Sequence, residues 1–374
     1  MRTLSDRFDP RNNSFDILRL SFAALVAIAH GMDLHSNSQL FWGSSGLSDF
    51  GLDGFFILSG FLVTRSYLSL NSFARYAWHR FLRIMPGFWV CLLVVAFVVA
   101  PLAAVLQGMS PTVPFTGEPS AFGFVFFNVG LLMVQYDIAG ILASTPHSPS
   151  FDGSLWTLVF EAFCYAVVGA LGITGILQRR RVVVAATVAV LAVLTVLQEA
   201  GVPVFINDRL LRLVFVFLLG AVAYLYAERI PMHPALAAGA AVVFLGSVAA
   251  FDNYRVLGAA PLAYLYLWLG SCLPLRWSMR TDLSYGLYVY HWPIYQLLVL
   301  TELASLPTGG FVVVGIAVTL IPAAMSWFLV EKPALSRKRS PVPDRIASAL
   351  QRRLRSWVEA RGGTLPAERA GVRR

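Results

Sequence analysis

The sequence predicts an all-α fold, a polytopic transmembrane helix bundle of about ten spans with both termini cytoplasmic. Three observations carry that prediction. Hydrophobic residues make up 57% of the 374-residue chain and charged residues only 13%, roughly half the charged share of a soluble domain. The apolar residues gather in runs long enough to cross a hydrocarbon core, which takes about 20 residues. Lysine and arginine fall almost entirely on alternate sides of those runs. A soluble enzyme, a disordered chain and a secreted disulfide scaffold are thereby excluded. Cys91, Cys164 and Cys272 each sit inside an apolar run, without disulfide or zinc spacing.

The first run, 15–34, is followed by no small-residue cleavage site and reads as a retained span. Further runs follow at 50–70, 82–106, 154–176, 182–199, 209–227, 235–250, 255–273, 283–300 and 309–330. With the N-terminus inside, the inner segments hold every basic residue except Arg209, Arg212 and Arg255. Residues 121–142 are apolar enough to span, but counting them would put the Arg179–Arg181 cluster or Arg80 and Arg83 outside. They therefore read as re-entrant, or as lying at the outer interface within a 107–153 loop that has no lysine or arginine; the alternative is eleven spans with one anomalous loop. No internal repeat is visible, which weakens an inverted-repeat transporter.

The chain divides into a transmembrane body, 1–333, and a basic cytoplasmic tail, 334–374. The net charge of +9 gives no case for nucleic acid, because 12 of the 29 basic residues lie from Lys332 onward. There Ile346, Leu350, Leu354, Trp357 and Val358 recur at helical spacing with arginines opposite. Such a helix either lies on the inner leaflet, held by anionic lipid, or is a soluble helix.

A charge inside a span costs about 2.5–3.5 kcal/mol on insertion scales, so the polar residues within the runs point to function. Arg19 and His30 stand eleven positions apart, which returns to the same helix face about 16 Å further along. Asp33, three residues on, shares that side and is placed to orient one His30 nitrogen. A histidine hydrogen-bonded at a helix end, with Arg19 obeying the positive-inside rule, accounts for the same residues. The second run, GLDGFFILSGFLVTR, carries Gly54, Ser59 and Gly60, small residues that let helices approach. Arg80 and Arg83 put two forked cations at the inner boundary, suited to phosphate groups of a ligand or of lipid. Glu161 lies a third of the way into the fourth run, where a carboxylate needs a partner or a proton. His291 lies near mid-depth in SYGLYVYHWPIYQ, between Tyr288 and Tyr295, and the last run closes on Glu331-Lys332-Pro333.

Taken in order, these segments resemble the acyltransferase-3 family of integral-membrane O-acyltransferases. The likeness covers residues 15–333: Arg19-x10-His30, FFILSGFL at 55–62, Arg80-x-x-Arg83, LWTLVFEAFCY with Glu161, SYGLYVYHWP with His291, and the closing EKP. Thr157 stands where the family usually has serine. The esterase-like (SGNH-type) domain fused to some relatives is expected to be absent. The resemblance implies a multi-pass protein of the bacterial inner membrane that moves an acyl group, most often acetyl, from cytoplasmic acyl-CoA to a hydroxyl of a carbohydrate or lipid-linked glycan. It implies acyl-CoA as a donor substrate, no permanently bound cofactor and no metal.

On that reading Arg19, Arg65, Arg80 and Arg83 meet the polyanionic end of the donor. His30 is the general base or itself carries the acyl group, with Asp33 and Glu161 as the other catalytic candidates. Glu161 also suits a hydrogen-bond network joining helices. Ser59, Tyr288 and His291 are candidates for holding substrate or a developing oxyanion. A transporter or flippase without covalent chemistry, and a non-catalytic partner in polysaccharide export, remain as rivals. Acceptor, chain length and oligomeric state are not legible.

Overall fold

The computed structural model describes residues 2–70, 72–146, 149–273, 281–345, 348–349 and 352. Its main helices coincide with the ten apolar runs: α1 (Phe15–Ser36), α2 (Leu47–Leu70), α3 (Phe73–Leu106), α4 (Thr157–Ile173), α5 (Arg181–Glu199), α6 (Asp208–Leu225), α7 (Pro234–Ala250), α8 (Arg255–Cys272), α9 (Ser284–Val299) and α10 (Thr308–Ser326). Among the described residues the only sheet is a two-residue hairpin, Phe41–Trp42 on Ser45–Gly46. The fold is an all-α bundle. Five helical stretches, Phe15–Ser36, Leu47–Leu70, Phe73–Leu106, Arg181–Glu199 and Thr308–Arg339, are long and apolar enough to cross a membrane, and the chain is an integral membrane protein.

Side-chain contacts fix which helix ends lie level. Asp49 and Asp53 near the start of α2 meet Arg212 near the start of α6 and Arg255 at the start of α8. Glu199 at the end of α5 accepts from the backbone of Asp252 and Asn253, just before α8. At the opposite end, Arg19 of α1 and Arg83 of α3 meet Asp282, just before α9, and Arg75 pairs with Asp344 of the tail. The arginines excepted from the charge rule thus have partners. Asp53 is fully buried and takes Arg212 Nε at 2.9 Å, Arg255 Nε at 2.5 Å and the Tyr254 hydroxyl at 2.5 Å.

Residues 121–142 do not cross the bundle. Arg209 at the start of α6 lies 4.4 Å over the ring of Trp156, the residue before α4, so the chain returns to the end at which α3 left it. The segment forms an eight-residue helix, Ala121–Asn128, only about 12 Å long. Asn128 ends it: its amide oxygen accepts from Val134 N and Gln135 N and its nitrogen donates to Gln135 O at 2.7 Å. A fully buried amide thus pins a turn where the sequence alone offers an apolar run.

The core is built by close backbone approach. A Cβ on Gly60 of α2 would lie 1.8 Å from Phe217 O, and one on Gly220 of α6 would lie 2.0 Å from Ile57 O, so these two helices touch through their main chains. In α9, Pro293 has no N–H for the carbonyl of Val289, and the Cys91 thiol donates to that carbonyl instead, at 3.4 Å. The expected amphipathic stripe of the tail (Ile346, Leu350, Leu354, Trp357, Val358) and the inner-loop Arg276 and Arg280 lie outside the described residues.

Candidate active site

Two elements far apart in sequence meet at mid-bundle. α1 presents His30 and α9 presents His291, with His30 Nδ1 and His291 Nε2 2.8 Å apart and the rings within 12° of parallel. Gly31 makes the approach feasible, since a Cβ there would lie 2.6 Å from the ring of Tyr295 one turn along α9. The other His291 nitrogen, Nδ1, lies 3.2 Å from the carbonyl of Leu287. A carbonyl only accepts, so His291 Nδ1 carries a proton. In a neutral ring Nε2 then carries a lone pair, and it accepts from His30 Nδ1–H. The neutral His30 is left with its lone pair on Nε2.

The contact that His30 Nδ1 makes thus comes from α9. Asp33 Oδ2 accepts from Gln39 Nε2 at 2.7 Å. His291 is fully buried, His30 is half-buried, and Trp292 packs edge-on to His30 with centroids 5.0 Å apart. Trp292 is itself fixed by Ser150, whose carbonyl accepts from its indole N–H at 3.1 Å.

Toward the end that bears Asp282 runs a slot of about 40 Å³, with room for a few waters at most. Arg19 and Arg83 line one end of it, Ser59 and Glu161 its wall, and Thr157 and Tyr288 are also on its surface. His30 does not line it; Tyr288, which does, has its ring centroid 6.0 Å from that of His291. The Tyr288 hydroxyl lies 2.6 Å from Thr157 Oγ1 and donates to Ser154 O at 3.2 Å. Thr157, in place of the family's serine, keeps the hydroxyl this contact needs. Glu161 bridges α2 and α4, accepting from Ser59 Oγ at 3.2 Å and from the Tyr165 hydroxyl, which is the networking arrangement.

The four arginines do not converge. Arg19 and Arg83 share Asp282 Oδ2 at 3.0 and 2.8 Å. Arg80 lies over the Tyr165 ring at 5.4 Å, and Arg65 over Phe8 at 5.7 Å; neither lines the slot. Asp282 was missed by sequence reasoning. Its other oxygen accepts from Ser284 N at 3.2 Å and Ser284 Oγ at 2.5 Å, so one carboxylate ties the arginines to the first turn of the helix that carries Tyr288 and His291. Among the described residues no group of three metal-ligating side chains occurs.

The chain belongs to the acyltransferase-3 family: a family model described as an acyltransferase domain matches residues 12–327. It is similar to nodulation protein 10 of Rhizobium leguminosarum bv. viciae, 28% identical over 90% of this chain and 97% of that protein. It is also similar to an O-acetyl transferase of Shigella phage Sf6, 23% identical over 87% of this chain and 97% of that one. No solved structure gives a significant match. The protein is a membrane O-acyltransferase.

Proposed function

We propose that this enzyme transfers an acetyl group from cytoplasmic acetyl-CoA to a hydroxyl of a glycan at the opposite face of the bacterial inner membrane, with His30 as general base. The observation that carries this reading is the Leu287–His291–His30 hydrogen-bond chain, because it leaves the basic lone pair on His30 Nε2. His30 Nε2 takes the proton of the acceptor hydroxyl as the oxygen attacks the thioester carbonyl. The tetrahedral intermediate then expels CoA thiolate, which recovers that proton from the imidazolium, giving the O-acetyl ester and free CoA. His291 Nε2 accepts from the charged ring throughout. Tyr288, once its hydroxyl leaves Ser154 O, is the proposed donor to the developing oxyanion.

Arg19 and Arg83 hold the donor's phosphates at the inner mouth. The slot is too tight for a pantetheine arm as it stands, so donor entry parts the Asp282 bridge and turns Tyr288 aside. Direct transfer is favoured over an acyl-histidine because His30 and His291 serve as one base. The O-acetyl transferase of the phage relative supports acetyl as the group moved.

The test is ester formation by the full chain in lipid nanodiscs, supplied with acetyl-CoA and a de-O-acylated surface glycan from the same cells. Mass spectrometry should find O-acetyl ester with wild type and none above background with His30→Ala. Equal ester with both would remove His30 from the chemistry, and glycan movement across the bilayer without ester would favour a flippase.

A further inference from the structure

Opposite the donor mouth, at the level of Asp49 and Asp53, lies a second cavity of about 480 Å³ between the ends of α2, α5, α6 and α8, a size usual for small-molecule sites. On the orientation set by the arginines it faces outward. Resting on the acetyl-transfer reading above, we infer that it is the acceptor subsite and takes an uncharged sugar unit of the glycan next to the unit that is acylated.

The lining is polar without a surplus of positive charge. Arg212 and Arg255 are matched by Asp49 and Asp53. The Glu199 carboxylate is spent on two backbone N–H groups at 2.9 and 3.1 Å. A phosphate or nucleotide would find no unmatched cation pair here, whereas a sugar's hydroxyls both donate and accept. Arg255 is 5% exposed and lines the cavity, and its Nη2 lies 3.8 Å from Asp49 Oδ2.

The cavity is linked to the slot by two contacts. Arg209 lines the cavity and stacks on Trp156 at 4.4 Å. The next residue, Thr157, lines the slot and lies 2.6 Å from the Tyr288 hydroxyl.

The probe is a Gln198→Cys variant of the full chain in nanodiscs. Gln198 lines the cavity and is half-buried; Cys91 and Cys164 are buried, and the half-buried Cys272 is replaced by serine in the labelled protein and its control. The variant is labelled with a bulky, membrane-impermeant maleimide after folding. Saturating de-O-acylated glycan should slow labelling at least fivefold, and acetyl-CoA should not. Complete labelling should raise the acceptor KM at least tenfold and leave the acetyl-CoA KM unchanged. Labelling that is indifferent to glycan, or an acceptor KM unmoved by the adduct, would overturn the inference while leaving the acetyl-transfer reading standing. Glycan that slows labelling of Gln198→Cys, beside a wild-type protein that makes no ester, would uphold the subsite and overturn the transfer reading.

Discussion

His30 Nδ1 and His291 Nε2 stand 2.8 Å apart, and this hydrogen bond assigns the protons on both rings. The assignment propagates from the Leu287 carbonyl, which can only accept. In serine hydrolases a carboxylate fixes the tautomer, and its negative charge stabilises the imidazolium that forms. The partner of His30 here is a second imidazole, which is fully buried.

His30→Ala should lower the rate of acetyl transfer by about 10²–10⁴-fold, the usual contribution of a general base. His291→Leu should lower it less, and His291→Gln, which keeps an acceptor for His30 Nδ1–H, should recover part of the loss. Single-turnover rates at saturating acetyl-CoA measure all three. Equal activity of the Leu and Gln variants would contradict an orienting role for His291.

Asp282 separates two effects through two substitutions. Asp282→Asn keeps a helix-capping oxygen for Ser284 but removes the charge that occupies Arg19 and Arg83. The acetyl-CoA KM should fall several-fold, with kcat nearly unchanged. Asp282→Ala should free the arginines equally but also lose the hydrogen bonds from Ser284 N and Oγ, about 1 kcal/mol each, so kcat should fall as well. A KM that rises in the Asn variant would mean the carboxylate serves to position the arginines for the donor.

The buried and exposed ion pairs should respond very differently. Asp53→Asn leaves Arg212 and Arg255 short of their counter-ion inside the bundle and should cost about 3–5 kcal/mol, seen as a lowered melting temperature in detergent. Asp344→Asn breaks a pair that is about half exposed on both sides and should leave the melting temperature nearly unchanged. The Arg75 guanidinium, hydrogen-bonded to Asp344, does hold that carboxyl below its ordinary range.

Gly60→Ala should be poorly tolerated for a reason unrelated to chemistry. Its methyl would meet the Phe217 carbonyl, a backbone atom that cannot turn aside. Reduced yield of folded protein by size exclusion, with residual molecules retaining their specific activity, is the expected pattern.

Much of the fold was legible because apolar runs and arginine placement are local properties, and each of the ten runs became a helix. The end of the helix at Asn128 was less so, because an amide inside an apolar run signals a turn only when its backbone partners are known. In the site, Arg19, Arg83, Glu161, Tyr288 and the two histidines were all visible, but their pairing was not. Spacing along α1 offered Asp33 to His30, and it could not offer the His291 contact, which comes from α9, 261 residues away. Arg65 shares the inner boundary with the other arginines but projects toward Phe8, a direction that a boundary count does not contain. Asp282 gave no motif. The sign available was chemical: Arg19 and Arg83, placed near the apolar body, require an anion. Arg212 and Arg255, the exceptions to the charge rule, pointed in the same way to Asp49 and Asp53.

The central claim is that neutral His30 keeps its lone pair on Nε2 because His291 receives the proton of Nδ1. Nitrogen-15 NMR of histidine-labelled protein in bilayers reads this directly at neutral pH, with His30→Gln and His291→Gln variants assigning the signals. Both rings should appear as neutral Nδ1–H tautomers, and the His30 signal should lose that preference in His291→Leu. A His30 ring protonated at Nε2 alone, or one unchanged by removal of His291, would contradict the account.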